Sequence, residues 1–205
     1  MSVFRWFRRR RREPEIVSTR FALGTTPTPA ALAAFEADAA RGDVVAMANL
    51  GVAMLAAGDR QRALHWLNTA WQAGNVGAGY NLGLLHSQAG DTNLAQVVWE
   101  RAAVAGDPDA MLGLVKQALE REDPAGVDRW VPPILAQDEA FPITALGVAL
   151  HDHGRLDRAV AAFRRAEELG DGHAMEYRAR ILEAQGAHAE ASALRARAAT
   201  AERMH

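Results

Sequence analysis

Apolar residues recur along this chain at helical spacing, in short stripes separated by glycine. Ala46, Met47, Leu50, Met54 and Leu55 form one stripe, and Ala63, Leu64, Leu67, Ala70 and Trp71 form the next. Intervals of three and four residues place the members of each stripe on one side of an α-helix. Gly58 separates the two stripes and Gly74 ends the second. Glycine enters the left-handed conformation after a helix end without steric cost, so both read as stops. Asp43 and Asp59 stand just ahead of the stripes, where a side-chain oxygen accepts from the first-turn N–H groups, and Asn75 holds the same place after Gly74. Gly-Asp recurs at 42, 58, 90, 106 and 170, always at an expected junction. The pattern predicts helical hairpins.

The hairpins repeat with a period of 32 residues. Stepping by that interval from Gly42 reaches Gly74, Gly106, Asp138 and Gly170. From Leu50 the step reaches Leu82, Leu114 and Leu146, and from Gly58 it reaches Gly90, Glu122, Gly154 and Gly186. The columns of Gly51 (Gly83, Gly147) and Ala70 (Ala102, Ile134, Ala166, Ala198) agree. About five repeats result. The predicted organisation is an arm over 1–12, a linker over 13–27, an N-terminal capping helix over 28–41 and a repeat array over 42–200. The array divides as 42–73, 74–105, 106–137, 138–169 and 170–200. In the capping helix, Thr28 stands as the N-cap, Pro29 at the first position, and Ala31, Phe35 and Ala39 fall in the register of a second helix.

Glycine inside a helix costs around 1 kcal/mol relative to alanine, so Gly51, Gly83 and Gly147 require a reason. Each lies 12 residues before an alanine (Ala63, Ala95, Ala159), and antiparallel helices would set these small residues opposite each other. Close approach of the two backbones then offsets the propensity loss through dispersion contacts.

The run "AMANLG…G…ALHWLNTAWQAGNVGA" resembles Sel1-like repeats, a subclass of the tetratricopeptide repeat superfamily. Ala46, Leu50, Gly51, Gly58, Ala63, Trp66, Ala70, Gly74 and Ala78 carry the likeness, and the second copy matches through Asn81, Leu82, Gly83, Gly90, Ala95, Trp99, Ala102 and Gly106. The turn between helices, "GDRQRA" or "GDTNLA", is shorter than in usual Sel1-like units. The resemblance implies an all-α, right-handed α-solenoid of about five helix-turn-helix repeats behind an N-terminal capping helix.

The pattern frays in repeat three, where Glu122 replaces the inter-helix glycine and "VDRWVPPILAQ" sets Pro132 and Pro133 inside the second helix. An interior proline removes a hydrogen bond and clashes with the preceding turn. That helix is expected to break, or to begin again at Pro132. The repeat is either a drifted copy or a kink that opens a groove beside Trp130 and Phe141. Repeat five carries charge where other repeats are apolar, at Arg178 and Arg195, which suits a terminal repeat facing water.

Charge divides the chain unevenly. Residues 1–12 hold six arginines and no acid, leaving 17 basic against 25 acidic residues, a formal −8, for the rest. The arm interleaves Phe4, Trp6 and Phe7 with Arg5, Arg8, Arg9, Arg10, Arg11 and Arg12. An anionic bilayer attracts such a segment through charge and interfacial aromatics, and nucleic acid through counterion release and stacking. A solubilising tail and docking onto the acidic body are the other readings. There are no cysteines, which excludes disulfides and thiolate metal sites. The chain shows neither an apolar run long enough for a bilayer nor a signal peptide, so a cytoplasmic location, with or without peripheral membrane attachment, is expected.

Solenoids of the resembled kind bind with the face formed by the first helices. Carried onto this chain, that implies Asn49, Tyr80, Asn81, Leu84, Gln88, Lys116, Thr144, Val148, His151 and Asp152 as groove residues. Asn49 and Asn81 precede the Leu-Gly pair, where asparagines of the superfamily often hydrogen-bond an extended ligand's backbone. Bonding between repeats is the alternative. The imidazoles of His151 and His153 project about 200° apart on a helix and cannot share one ion. Metalloprotease, P-loop and nucleophile-elbow signatures are missing. Neither an enzyme nor a cofactor or metal is expected. The reading is a scaffold or adaptor that holds a protein or peptide segment in its groove, tethered to an anionic surface by the arm. The rival is a nucleic-acid-associated regulator that uses the arm for affinity.

Overall fold

Eleven α-helices and no strand make up residues 28–204, the part of the chain described by the computed structural model. They are α1 (Pro29–Ala40), α2 (Val44–Ala56), α3 (Arg60–Gln72), α4 (Gly77–Gln88), α5 (Thr92–Val104), α6 (Pro108–Glu120), α7 (Pro124–Leu135), α8 (Ala140–Asp152), α9 (Leu156–Glu168), α10 (Gly172–Ala184) and α11 (His188–Met204). The all-α architecture of repeated helical hairpins is the one anticipated.

The junctions follow from glycine and short polar side chains. Eight junction glycines have φ between +71° and +95°. After Gly58 the Asp59 N–H donates back to Met54 O at 2.9 Å, satisfying a carbonyl that the helix end would leave open. Asp59 Oδ1 accepts from Arg62 N, and Asp43 Oδ1 from Val45 N and Ala46 N. Thr28 Oγ1 accepts from Ala31 N at 3.2 Å, with Pro29 in the first turn of α1.

The fold comprises two compact units, one ending at Ala110 and the other starting at Met111. In the first, α1 packs on α2, α3 pairs with α2 and also touches α4, and α4 pairs with α5. Its core holds Leu50, Ala63, Leu67, Ala78 and Leu82, with Leu32 and Phe35 of α1 packed against it. Thus α1 covers the apolar side of α2 as a preceding second helix would. In the second unit α8 pairs with α9 and α10 with α11, and α9 packs on α10.

The mid-helix glycines face something other than alanine. A Cβ on Gly51 would lie 2.6 Å from Leu67 Cγ, one on Gly83 2.5 Å from Trp99 Cδ1, and one on Gly147 2.5 Å from Phe163 Cε1. The partner therefore lies 16 residues on, one helical turn beyond the alanines expected. The purpose is also different: each glycine is a hole for a large side chain. Leu67 and Phe163 are fully enclosed and Trp99 is 5% exposed. Burying such a side chain contributes roughly 1.5–3 kcal/mol, which outweighs the propensity loss.

Repeat three differs from expectation at its prolines. The helix neither breaks nor restarts there, for α7 runs from Pro124 through Pro132 and Pro133 to Leu135. Both prolines sit in its last turn, where the chain is about to leave the helix. Packing of Val127, Trp130, Val131 and Ile134, all buried, offsets the lost backbone bonds. Trp130 is enclosed, with the Arg129 guanidinium over its ring at 4.7 Å, so it lines no opened groove. Glu122 holds the glycine conformation at φ +54°, and Asp123 N closes the same backbone bond, to Ala118 O at 2.8 Å. A left-handed conformation costs a residue with a Cβ roughly 1–2 kcal/mol. Glu122→Gly should therefore raise unfolding free energy by about 1 kcal/mol in urea titration; a neutral or lower value would show that the site is unstrained.

The charges of repeat five do not simply face water. Arg178 on α10 is paired with Glu167 on α9, and their side chains are only 18% and 9% exposed. Glu167 also accepts from Arg197 on α11 at 2.6 Å. Arg195 bonds Glu183 at 2.5 Å and reaches Glu176 at 3.5 Å, which holds the Glu183 carboxyl below its usual pKa. These pairs tie α9, α10 and α11 together around a small core of Met175, Ala179, Ala191, Leu194 and Ala198.

Candidate functional site

The first helices of consecutive hairpins touch within each unit, α2 with α4 and α8 with α10, and so form a shared face in each. In the first unit that face carries no Lys or Arg on α2 or α4. Asn49 and Asn81 occupy equivalent positions on α2 and α4, and are 5% and 8% exposed. Asn49 Oδ1 is enclosed and meets no donor among the described residues. Tyr80 precedes Asn81 and is half-buried, as is Leu84 one turn on. Burial, with the negative charges of Asp109 and Asp107 in support, pushes the Tyr80 hydroxyl up to a pKa of about 12. Gln88, at the exposed end of α4, accepts from Arg60 Nη1 at 2.8 Å, and Arg60 Nη2 donates to Leu85 O.

The second unit places the remaining expected residues differently. Lys116 on α6 is exposed, as are His151 and Asp152 at the end of α8, and Val148 is half-buried. Thr144 is 7% exposed and donates to Asp171 Oδ2 at 2.6 Å. Asp171 Oδ1 in turn accepts from His173 N at the start of α10. Thr144 is thus engaged between consecutive hairpins. His151 Nδ1 lies 3.4 Å from Asp152 Oδ1, whereas His153 Nδ1 lies 2.8 Å from Ala149 O, so the two rings are used separately. Among the described residues, no three His, Cys, Asp or Glu side chains converge as a metal site. Nor is any helix there long and apolar enough to cross a membrane. The arm residues, Phe4 to Arg12, lie outside the described residues.

Sequence reading missed Asp107 and Asp109 as neighbours of Tyr80, and Arg60 as the partner of Gln88. The Gly-Asp junction was legible only as a cap, a role Asp107 does fill by accepting from Ala110 N at 2.7 Å.

Solved structures share this arrangement. A Sel1 repeat protein from Oxalobacter formigenes superposes with a TM-score of 0.62 at 20% identity, over 82% of this chain and 77% of that one. A MamA crystal structure gives 0.53 at 18% identity, over 76% and 95%. MamA from Desulfovibrio magneticus RS-1, from residue 41 to its end, gives 0.52 at 16%, over 79% and 96%. The fold is that of the Sel1-like and tetratricopeptide repeat proteins. No protein-family model matches the chain, and no curated protein matches it by sequence. At these identities the likeness to Sel1-like and tetratricopeptide repeats is one of fold.

The Tyr80 environment has a pH signature. A folded pKa above the unfolded one means that the stability it reports is complete below pH 10 and is lost as pH rises from 10 towards 12. In Tyr177→Phe, where Tyr80 is the only tyrosine left, phenolate absorbance should rise with a midpoint near 12 in the folded chain and near 10 in urea. A folded midpoint at 10 would place Tyr80 in open water.

Proposed function

We propose that this protein is a non-enzymatic scaffold that holds an extended segment of a protein partner on its first-helix face, with Asn49, Tyr80, Asn81 and Leu84 as the central contacts. The observation that carries this reading is the pair of equivalent amides, Asn49 and Asn81, on the touching helices α2 and α4, flanked by the half-buried Tyr80 and Leu84 on a face without Lys or Arg. Asn81 repeats the same group one hairpin later, which suits a ligand whose backbone runs across successive first helices. The exposed Gln88 extends that surface in the first unit; in the second, the first helices α6 and α8 present Lys116, His151 and Asp152, with Val148, as further positions at which side-chain preference is set. Thr144 contributes by fixing the start of α10.

Affinity capture followed by protein identification tests this. The double variant Tyr80→Phe, Asn81→Ala should lose the proteins captured by the unaltered chain while its melting temperature stays within a few degrees. Unchanged capture, or a large loss of stability, would assign these residues a structural role instead. Asn49→Leu should behave more sharply still: it weakens capture and raises stability by about 1 kcal/mol, because it deletes the unpaired acceptor.

The arm supplies the second part of the proposal, a tether to an anionic surface. Each basic residue near an anionic bilayer contributes about 1 kcal/mol, and the six arginines stand beside three aromatics of the kind that bury at an interface. Co-sedimentation with phosphatidylserine vesicles should be lost on deletion of residues 1–12. Retention of DNA or RNA instead, with no vesicle binding, would replace the tether by the nucleic-acid reading.

A further inference from the structure

The repeats provide an internal control for every surface position, and α5 fails it. Its outward stripe consists of Leu94, Val97, Arg101 and Val104, with Leu94 52%, Val97 59% and Val104 75% exposed. The equivalent positions are Arg62, His65, Thr69 and Gln72 on α3, and Arg158, Ala161, Arg165 and Glu168 on α9. Only α5 sets three aliphatic side chains in water there. Arg101 does not interrupt them, because its guanidinium is drawn over the Trp71 ring at 5.0 Å and leaves its methylene stem in the stripe. Glu100 is turned back along its own helix by Gln96 Nε2 at 3.0 Å. The stripe is therefore apolar along its length, and apolar surface of this kind marks an interface.

The spacing says what covers it. Intervals of three, four and three residues are those of a coiled-coil seam, and they read the same from either end of α5. A reversed copy of the helix thus presents an identical seam. We propose that α5 pairs antiparallel with α5 of a second copy of this chain, around a two-fold axis near residue 99. Leu94 then meets Val104 of the copy, and Val97 packs on the Arg101 stem, each contact occurring twice. Such an interface is isologous and closes at two subunits. Three aliphatics and one stem per chain fall at the small end of interface sizes, so the dimer forms with a dissociation constant on the order of 10–100 μM.

Sedimentation velocity of the full chain across that range should show a monomer–dimer equilibrium that persists in high salt, which separates it from association through the charged arm. Val97→Asp should abolish the dimer. Leu94→Ser, milder at a half-exposed position, should weaken it at least tenfold with an unchanged melting temperature. Because the chain has no cysteine, register can be read directly. Mixing Leu94→Cys with Val104→Cys should give a mixed disulfide under oxidation. Leu94→Cys alone should not, since the two copies of residue 94 lie about 15 Å apart along the seam. A chain that stays monomeric throughout overturns the proposal. So does a dimer indifferent to Val97→Asp, or one that cross-links through Leu94→Cys alone.

Discussion

Replacing Glu167 by alanine lowers the unfolding free energy by about 3 kcal/mol, the cost of stranding a poorly solvated charge. The carboxylate sits between two guanidiniums, one of them Arg178, whose side chain is 18% exposed, and its own side chain is 9% exposed. Its loss leaves Arg178 with neither a counter-charge nor water to replace it. Because the pair is shielded, the destabilisation should barely change between low and high salt, whereas a surface pair would be screened. Adding Arg178→Leu to Glu167→Ala should recover most of the loss, since apolar replacement of both partners removes the stranded charge. Urea titration of the three variants decides the matter. A Glu167→Ala cost below 1 kcal/mol, or no recovery in the double variant, would reduce the network to a surface ion pair.

The second large effect is at the glycine holes. Gly147→Ala should cost about 2 kcal/mol despite alanine's better helix propensity, because the added methyl would sit 2.5 Å from Phe163 Cε1 and a filled core resists overpacking. Phe163→Ala empties the same space and should cost 3–5 kcal/mol. The two changes share one volume, so they must not add: with Phe163 already truncated, Gly147→Ala becomes neutral or favourable. Thermal or chemical unfolding of the four chains gives the coupling. Strict additivity would mean that the glycine and the ring do not define each other.

Local chemistry was readable in the sequence and contacts between helices were not. The stops and caps depend on residues adjacent in the chain, so Gly58 with Asp59 and Thr28 with Pro29 reveal themselves without any tertiary knowledge. The column of Gly51, Gly83 and Gly147 is visible too, yet the spacing predicts its partner one helical turn short of Leu67, Trp99 and Phe163. A 32-residue period fixes which residues are equivalent, but not how far one helix slides against the next. Arg178 shows the same gap. A charge in an apolar column reads as solvent-facing until Glu167, 11 residues away on another helix, is brought beside it. At α7 the two interior prolines predict a break, but Pro132 and Pro133 fall in the final turn, where they cost less than at the centre. For the candidate face, the positions of Asn49 and Asn81 were legible from the repeat. The enclosure of Asn49 Oδ1 comes only from packing.

Each hole and its occupant belong to one 32-residue cassette: Gly83 and Trp99 in residues 74–105, Gly147 and Phe163 in residues 138–169. The neighbouring cassette adds a cover, as Tyr177 does by stacking on the Phe163 ring at 5.2 Å. Duplicating residues 74–105 in tandem would copy the interlock whole, together with the glycine stops on both sides. A module gained by a single genetic duplication therefore brings its own interlock and needs from its neighbour only a cover of the kind Tyr177 supplies.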